Sequence, residues 1–382
     1  MKPLIGHTAR FEALSRAFSK GQIPQTLLIS GPPGVGKSLL VSHYAQLLLC
    51  QKLEERGGLP APCGVCKACH QVEIEVFPDY RVYRPIISKA EPSRAPDALD
   101  SSLIPVEMAR EFNAEAIRKP IAGPRKVLWM HGFEKAQEEA QNALLKTLEE
   151  PPIGSFLILT TENAKNLRDT ILSRCWHLPL PPVADAEIAP WLREEFPGAS
   201  PQVLSEALRA AAGRPGAAFR ELERLQKGDG TARSRFIVTT EMLKRLDSAS
   251  PIAALALSEE AMKWANEWWI EDAGAGVDTK KLGAKGPRTA AARFLDELMI
   301  AGRALWMNGL TNARPNSGSS GHENGGSQAH SASEVGAARL DQMRKTRHYI
   351  LRNANRQLAL DVMFGRLIAL RARPVSNPAR SR

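Results

Sequence analysis

Residues Gly31 to Ser38 read GPPGVGKS, the GxxxxGKS spacing of a phosphate-binding loop. Its glycines let backbone N–H groups converge on phosphate oxygens beside the positive end of the helix that follows. Lys37 would neutralise the β and γ phosphates and the Ser38 hydroxyl would ligate magnesium, so Gly31, Gly34, Gly36, Lys37 and Ser38 form a candidate ATP/Mg2+ site. A loop that keeps this shape and binds nothing is the alternative. Four of the five cysteines, Cys50, Cys63, Cys66 and Cys69, are spaced C-x12-C-x2-C-x2-C. In a reducing compartment this spacing points to metal rather than disulfide, and four thiolates with no open position suit structural Zn2+. His70 competes poorly for a coordination place because it adjoins Cys69. Free thiols or a redox pair would be the other reading of the same residues.

Hydrolysis needs more than a phosphate cradle. A magnesium carboxylate, and often a second one that activates water, stands at the end of a neighbouring strand in such ATPases. The candidate strand here, KVLWM (Lys126–Met130), runs into His131-Gly132, and neither residue can replace those groups. Glu134 lies close by in sequence but is expected to point elsewhere. ATP binding without efficient turnover is the chemical expectation. The pair Glu149-Glu150 looks catalytic at first sight; however, Leu144, Leu145 and Leu148 put it on an amphipathic helix ending at Pro151-Pro152, which reads as packing with solvated glutamates. Taken alone, Arg174 is an ordinary helix-end arginine and Cys175 a buried packing residue.

The elements that must position these groups show in the hydrophobic pattern. The run QTLLIS (Gln25–Ser30) leads into the glycine-rich turn, and Ser38–Cys50 then carries Leu40, Tyr44, Leu47 and Leu48 at helical spacing. Further strands are expected at Arg81–Ile87, Lys126–Met130 and Ser155–Thr160, each separated from the next by helix or loop, as in a parallel sheet covered on both faces. After LPLPPV (Leu178–Val183) helical patterns dominate. Three short helices fit Asp185–Leu225, and longer ones fit Ser234–Asp247, Pro251–Trp269, Pro287–Leu310 and Val335–Arg371. Between Thr311 and Glu334, 14 of 24 residues are Ser, Gly, Asn or Pro, which predicts a disordered loop.

A chain of 382 residues favours two or three domains, and 43% hydrophobic with 24% charged residues excludes wholesale disorder. The net charge of +10 is concentrated in Gly336–Arg382, where eleven Lys/Arg face two Asp/Glu. No run is apolar enough for a membrane span and the first ten residues do not resemble a secretory signal, so a cytoplasmic protein without membrane contact is expected.

The phosphate loop, the cysteines inserted after its helix, NALLKTLEEPP (Asn142–Pro152) and ILSRCW (Ile171–Trp176) together resemble the bacterial AAA+ clamp-loader subunits of DNA polymerase III. The likeness runs over residues 1 to about 225, and NANRQLALD (Asn353–Asp361) is similar to the final helix of those subunits. The resemblance implies an α/β P-loop AAA+ domain over 1–180 with a zinc module at 50–69, a small helical lid over 181–230, and an all-α C-terminal collar over 231–382. Motor subunits of the family keep an Asp-Glu pair and a lid arginine where this chain has His131-Gly132 and Gly216, so the departures resemble the stationary, delta-prime type. Arg174 is retained; in the family this arginine reaches ATP on the neighbouring motor subunit, making it catalytic in trans. The implied partners are gamma/tau-type motor subunits and a delta subunit in a hetero-pentameric ring, with the sliding clamp and primed DNA met through the complex. Two other classes remain open on sequence: an autonomous DNA-dependent AAA+ ATPase, and a nucleotide-sensing scaffold outside replication.

Overall fold

A computed structural model describes residues 3–87, 102–227, 234–273, 286–312, 324–352 and 354–371. Helix α1 (Thr8–Ser19) precedes β1 (Thr26–Ser30), which runs through the phosphate loop into α2 (Lys37–Leu49). A hairpin of β2 (Glu54–Arg56) and β3 (Leu59–Ala61) and the short α3 (Lys67–Glu73) follow. Then come β4 (Tyr80–Tyr83), β5 (Ile86–Ile87), β6 (Ser102–Leu103), α4 (Val106–Ile117), β7 (Lys126–Met130), α5 (Glu138–Glu149), β8 (Ser155–Thr161), α6 (Asp169–Leu172) and β9 (Trp176–Pro179). The main sheet has the order β4-β7-β8-β1-β9, with every neighbouring pair parallel.

Period-two alternation distributes the strand residues between two cores. Leu27, Ile29, Val127, Trp129, Phe156 and Ile158 pack with Leu40, Tyr44 and Leu47 of α2 and with Ala68 and Val72 of α3. Their sequence neighbours Leu28, Leu128, Met130, Leu157 and Leu159 face Phe112 of α4 and Leu144 and Leu148 of α5. Both faces of β1, β7 and β8 are therefore buried, which explains why these segments read as unbroken apolar runs.

The expected strand Arg81–Ile87 divides in two. Pro85 has no N–H to give a ladder, so β4 ends at Tyr83, and Ile86–Ile87 pairs antiparallel with Ser102–Leu103 outside the main sheet. Beyond the sheet, α7 (Asp185–Glu195), α8 (Pro201–Ala211) and α9 (Pro215–Lys227) match the three short helices expected there.

Two compact units divide the chain, and the second takes in Ser205–Ala210 of α8 and the end of α9 together with α10 (Arg235–Ser248), α11 (Ala253–Ala273), α12 (Gly286–Asn312), α13 (Asn324–Leu351) and α14 (Arg356–Arg371). Leu243, Leu246, Leu257, Trp268, Phe294, Leu298, Met343, Ile350 and Phe364 form its core. A half-buried polar link joins α11 to α14, with the Ser258 hydroxyl donating to Asp361 and the Gln357 amide donating to both at 2.9 Å. Where one helix was expected over Val335–Arg371, the chain breaks after Leu351, and Asn355 opens α14 by accepting the Leu358 N–H at 3.1 Å. Of the loop expected over 311–334, Thr311 and Asn312 close α12, residues 313–323 lie outside the described residues, and 324–334 belong to α13. Alanines at 329, 332, 337 and 338 favour that extension. The C-terminal positive charge is partly matched within this unit, since Arg339 pairs with Asp247 and Arg347 with Asp296, each at 2.7 Å. Among the described residues no helix is long and apolar enough to cross a membrane.

Leu157 is fully buried between β7 and β1. Replacing it with alanine should cost about 2–5 kcal/mol, read as a lower denaturant midpoint at unchanged slope.

Candidate functional site

Strand β1 delivers the phosphate loop to the carboxyl end of the sheet. Gly34 and Gly36 have φ of +82° and +114°, a region that residues with a Cβ rarely enter, and Gly36 caps α2 in that conformation. The Gly31 N–H is fixed to the Thr161 carbonyl at the end of β8 (3.1 Å). Lys37, the first residue of α2, folds its ammonium over the loop and donates to the carbonyls of Gly31 and Pro32. Burial pulls the Lys37 pKa down, while Glu162 and Glu134 act in the opposite direction.

Beside the loop lies a cleft of about 500 Å³, within the range of small-molecule sites. Its polar end carries Lys37, Ser38, His131, Glu134 and Glu162, and its apolar end Ile5, Trp191 and Phe219. Four of the five loop residues expected from sequence line it or shape its floor, and Gly31 anchors it from behind. His131 stands at the end of β7, where burial and the nearby Arg84 charge lower its pKa, and its ring meets the edge of Trp129 at 5.5 Å.

Glu134 corrects the sequence reading. Gly132 takes a left-handed conformation (φ +67°), and the tight turn Phe133–Lys135 brings Glu134 back to the cleft, where Oε2 accepts the Glu162 N–H at 3.2 Å. The Glu134 carboxylate thus joins Glu162 at the polar end, displaced from the strand-end position.

The lid side was also underestimated. The Gly216 N–H at the start of α9 donates to the Gly34 carbonyl at 2.9 Å, and a Cβ on Gly216 would lie 3.1 Å from that oxygen. Trp191 of α7 stacks on Phe219 of α9 (5.7 Å, 21°). On the opposite wall His7 is buried, with Nε2 3.0 Å from the Val35 carbonyl. No motif marks His7, Trp191 or Phe219, and only tertiary folding brings them to the loop.

The four cysteines come together. Their sulfurs lie within 4.8 Å of one another, with Cys50 Sγ 3.7 Å from Cys63 and 3.9 Å from Cys66. Tetrahedral ligation at about 2.3 Å places thiolates about 3.8 Å apart, so the set could hold a metal ion. Backbone N–H groups of Cys66 and Cys69 donate to the sulfurs of Cys63 and Cys66. At Cys66 burial acts upward, but hydrogen bonds at Cys69 and Gln51 outweigh it and bring the thiol down to about 6. His70 is not part of this cluster.

Arg174 lies away from the cleft, between α6 and β9. Its Nε and Nη2 reach Glu149 Oε2 at 2.9 and 2.8 Å, and Nη1 donates to the Thr170 carbonyl at 3.0 Å. Glu149 is solvated, as the sequence suggested, with its side chain 58% exposed, and it also holds a partner that the sequence did not indicate. Cys175 packs beside the sheet core, and burial pushes its thiol up to about 12.

A five-stranded parallel sheet with a phosphate loop at its carboxyl edge, a cysteine module after the loop helix and lid helices against the loop define a P-loop AAA+ module, followed here by an all-helical unit. Residues 6–184 match the family described as "DNA polymerase III, delta subunit". The chain is 32% identical over 242 residues to the DNA polymerase III subunit delta' of Pseudomonas aeruginosa, covering 63% of this chain and 67% of the relative. Against the Escherichia coli subunit delta' it is 32% identical over 209 residues, covering 55% and 58%. The Escherichia coli subunit tau is 31% identical over 263 residues, covering 68% of this chain and 38% of that protein. The chain belongs to the DNA polymerase III delta-prime family of clamp-loader subunits.

Burial holds the His7 pKa below its ordinary value. The unfolded chain takes up this proton near pH 6.5, at about the ordinary histidine value, so the contribution to stability is full above that pH and is lost as pH falls through the lower folded value. His131 acts with the same sign. The melting temperature should drop between pH 7 and pH 5, and His7→Gln, which can still donate to the Val35 carbonyl, should make that drop shallower.

Proposed function

We propose that this chain is the stationary, delta-prime-like member of a clamp loader: it supplies Arg174 to ATP held by a neighbouring motor subunit and helps place the sliding clamp on primed DNA. The observation that carries the reading is the arrangement of the two sites. The chain's own cleft has a histidine where a magnesium carboxylate is needed, whereas Arg174 stands outside that cleft with its side chain 30% exposed. A guanidinium next to a γ-phosphate neutralises the charge that spreads over its oxygens during transfer, and one supplied from another chain makes hydrolysis depend on assembly. The partners are gamma/tau-type motor subunits and a delta subunit in a hetero-pentameric ring.

The chain's own phosphate loop would hold ATP with magnesium, Lys37 on the phosphates and Ser38 at the metal, without efficient turnover. A second reading, an autonomous AAA+ motor, draws on Glu134, one of the carboxylates that line the cleft. Against it, Oε2 is already engaged by the Glu162 N–H and the strand-end position is His131.

Turnover by the purified chain, alone and in the reconstituted complex, separates the two. Alone, hydrolysis should be negligible, and Lys37→Ala should alter nucleotide affinity rather than a rate. In the complex, Arg174→Ala should leave assembly intact and lower the DNA-stimulated rate, only partly because other interfaces keep their own arginines, while Arg174→Lys rescues little. Robust intrinsic turnover abolished by Lys37→Ala or Glu134→Gln would establish the motor instead.

Cys50, Cys63, Cys66 and Cys69 would hold one structural Zn2+, closing the tetrahedron without an exchangeable position. Elemental analysis should return one zinc per chain, and Cys63→Ser should lower both metal content and melting temperature.

A further inference from the structure

We propose that Glu149 is a positioning residue for Arg174, fixing the guanidinium so that its terminal edge is presented to phosphate on the neighbouring subunit. The proposal rests on the trans-acting reading of Arg174 and adds the residue that makes such an arginine effective.

A guanidinium has five N–H donors. The Nε hydrogen and one on Nη2 are directed at Glu149 Oε2, and one on Nη1 at the Thr170 carbonyl. One hydrogen remains on each terminal nitrogen, and those two form the fork that takes a pair of phosphate oxygens. The carboxylate thus occupies the inner edge of the group and leaves the outer edge available.

Both supports are rigid. Glu149 is the last residue of α5, whose Leu144 and Leu148 are buried in the sheet core. Arg174 sits between Ile171, fully buried, and Cys175, packed against the same core, and its N–H donates to the Ile171 carbonyl at 3.1 Å. An arginine without a partner samples many rotamers, and each must be frozen out before it can meet a transition state; a group already held in place avoids that cost. Stability alone does not account for the contact, since the Glu149 side chain is 58% exposed and ion pairs at that exposure contribute little.

The test uses the reconstituted loader with Glu149→Ala, Glu149→Gln, Arg174→Ala and the Glu149→Ala/Arg174→Ala pair, measuring DNA-stimulated ATPase and clamp loading. Glutamine keeps an acceptor of the same reach, so it should stay within about twofold of the parent, while alanine should lower clamp loading about fivefold, through kcat at unchanged KM for ATP. In the Arg174→Ala background, Glu149→Ala should add nothing. Assembly and melting temperature report folding, and the double variant keeps the test decisive if alanine disturbs α5, because a folding defect would lower the rate in the Arg174→Ala background as well. If Arg174→Ala slows the complex and Glu149→Ala does not, the positioning role is wrong and the trans-acting arginine stands. An equal loss from Glu149→Ala with and without Arg174, or a gain of rate, would likewise overturn positioning. A complex indifferent to Arg174→Ala removes the reading on which the proposal rests.

Discussion

Helix α2 has to satisfy three surroundings at once, and the first unit is arranged around that requirement. Its first residue is Lys37, its middle is buried through Leu40, Val41, Tyr44, Leu47 and Leu48, and the residue after its end is Cys50. A single rigid rod therefore sets the distance between the phosphate loop and the cysteine cluster. Gln46 reinforces the far end by donating from its side-chain amide to the Cys69 carbonyl at 3.0 Å. Because α2 lies against β1, β7 and β8, any shift of the rod would be felt in the sheet and at both sites together.

The same dependence explains which regions of the fold were legible in the sequence. Runs such as TLLIS, KVLWM and SFLILTT are apolar on both faces and could hardly be anything but central parallel strands. The phosphate loop and the cysteine spacing announce themselves because each chemistry tolerates few alternatives in a short stretch of chain. What failed was local detail decided by one residue, such as Pro85 ending β4, or by a polar cap, such as Asn355 opening α14. Residues 324–334 were mistaken for loop because composition records what a segment cannot bury and is silent about whether a neighbouring packed helix will extend through it.

Within the site, sequence reasoning handled absences better than placements. His131-Gly132 was rightly read as lacking the strand-end carboxylates, but the left-handed turn at Gly132 that redirects Glu134 is a backbone property no spacing reveals. Glu149 is exposed as its helical position indicated, but periodicity shows only which face is apolar and gives no sign of the partner, 25 residues away, that comes from another element. Gly216 had been understood as the loss of an arginine. The structure supplies a positive reason for a small residue, since a backbone amide there must come within 2.9 Å of the Gly34 oxygen.

That amide has a mechanical meaning. The phosphate loop and the start of α9 are joined by a main-chain hydrogen bond, so anything that needs the space between them must first pull one backbone segment away from the other, and no side-chain rotation can substitute for that movement. One such bond contributes about 1 kcal/mol, so it keeps the two segments in register without locking them together.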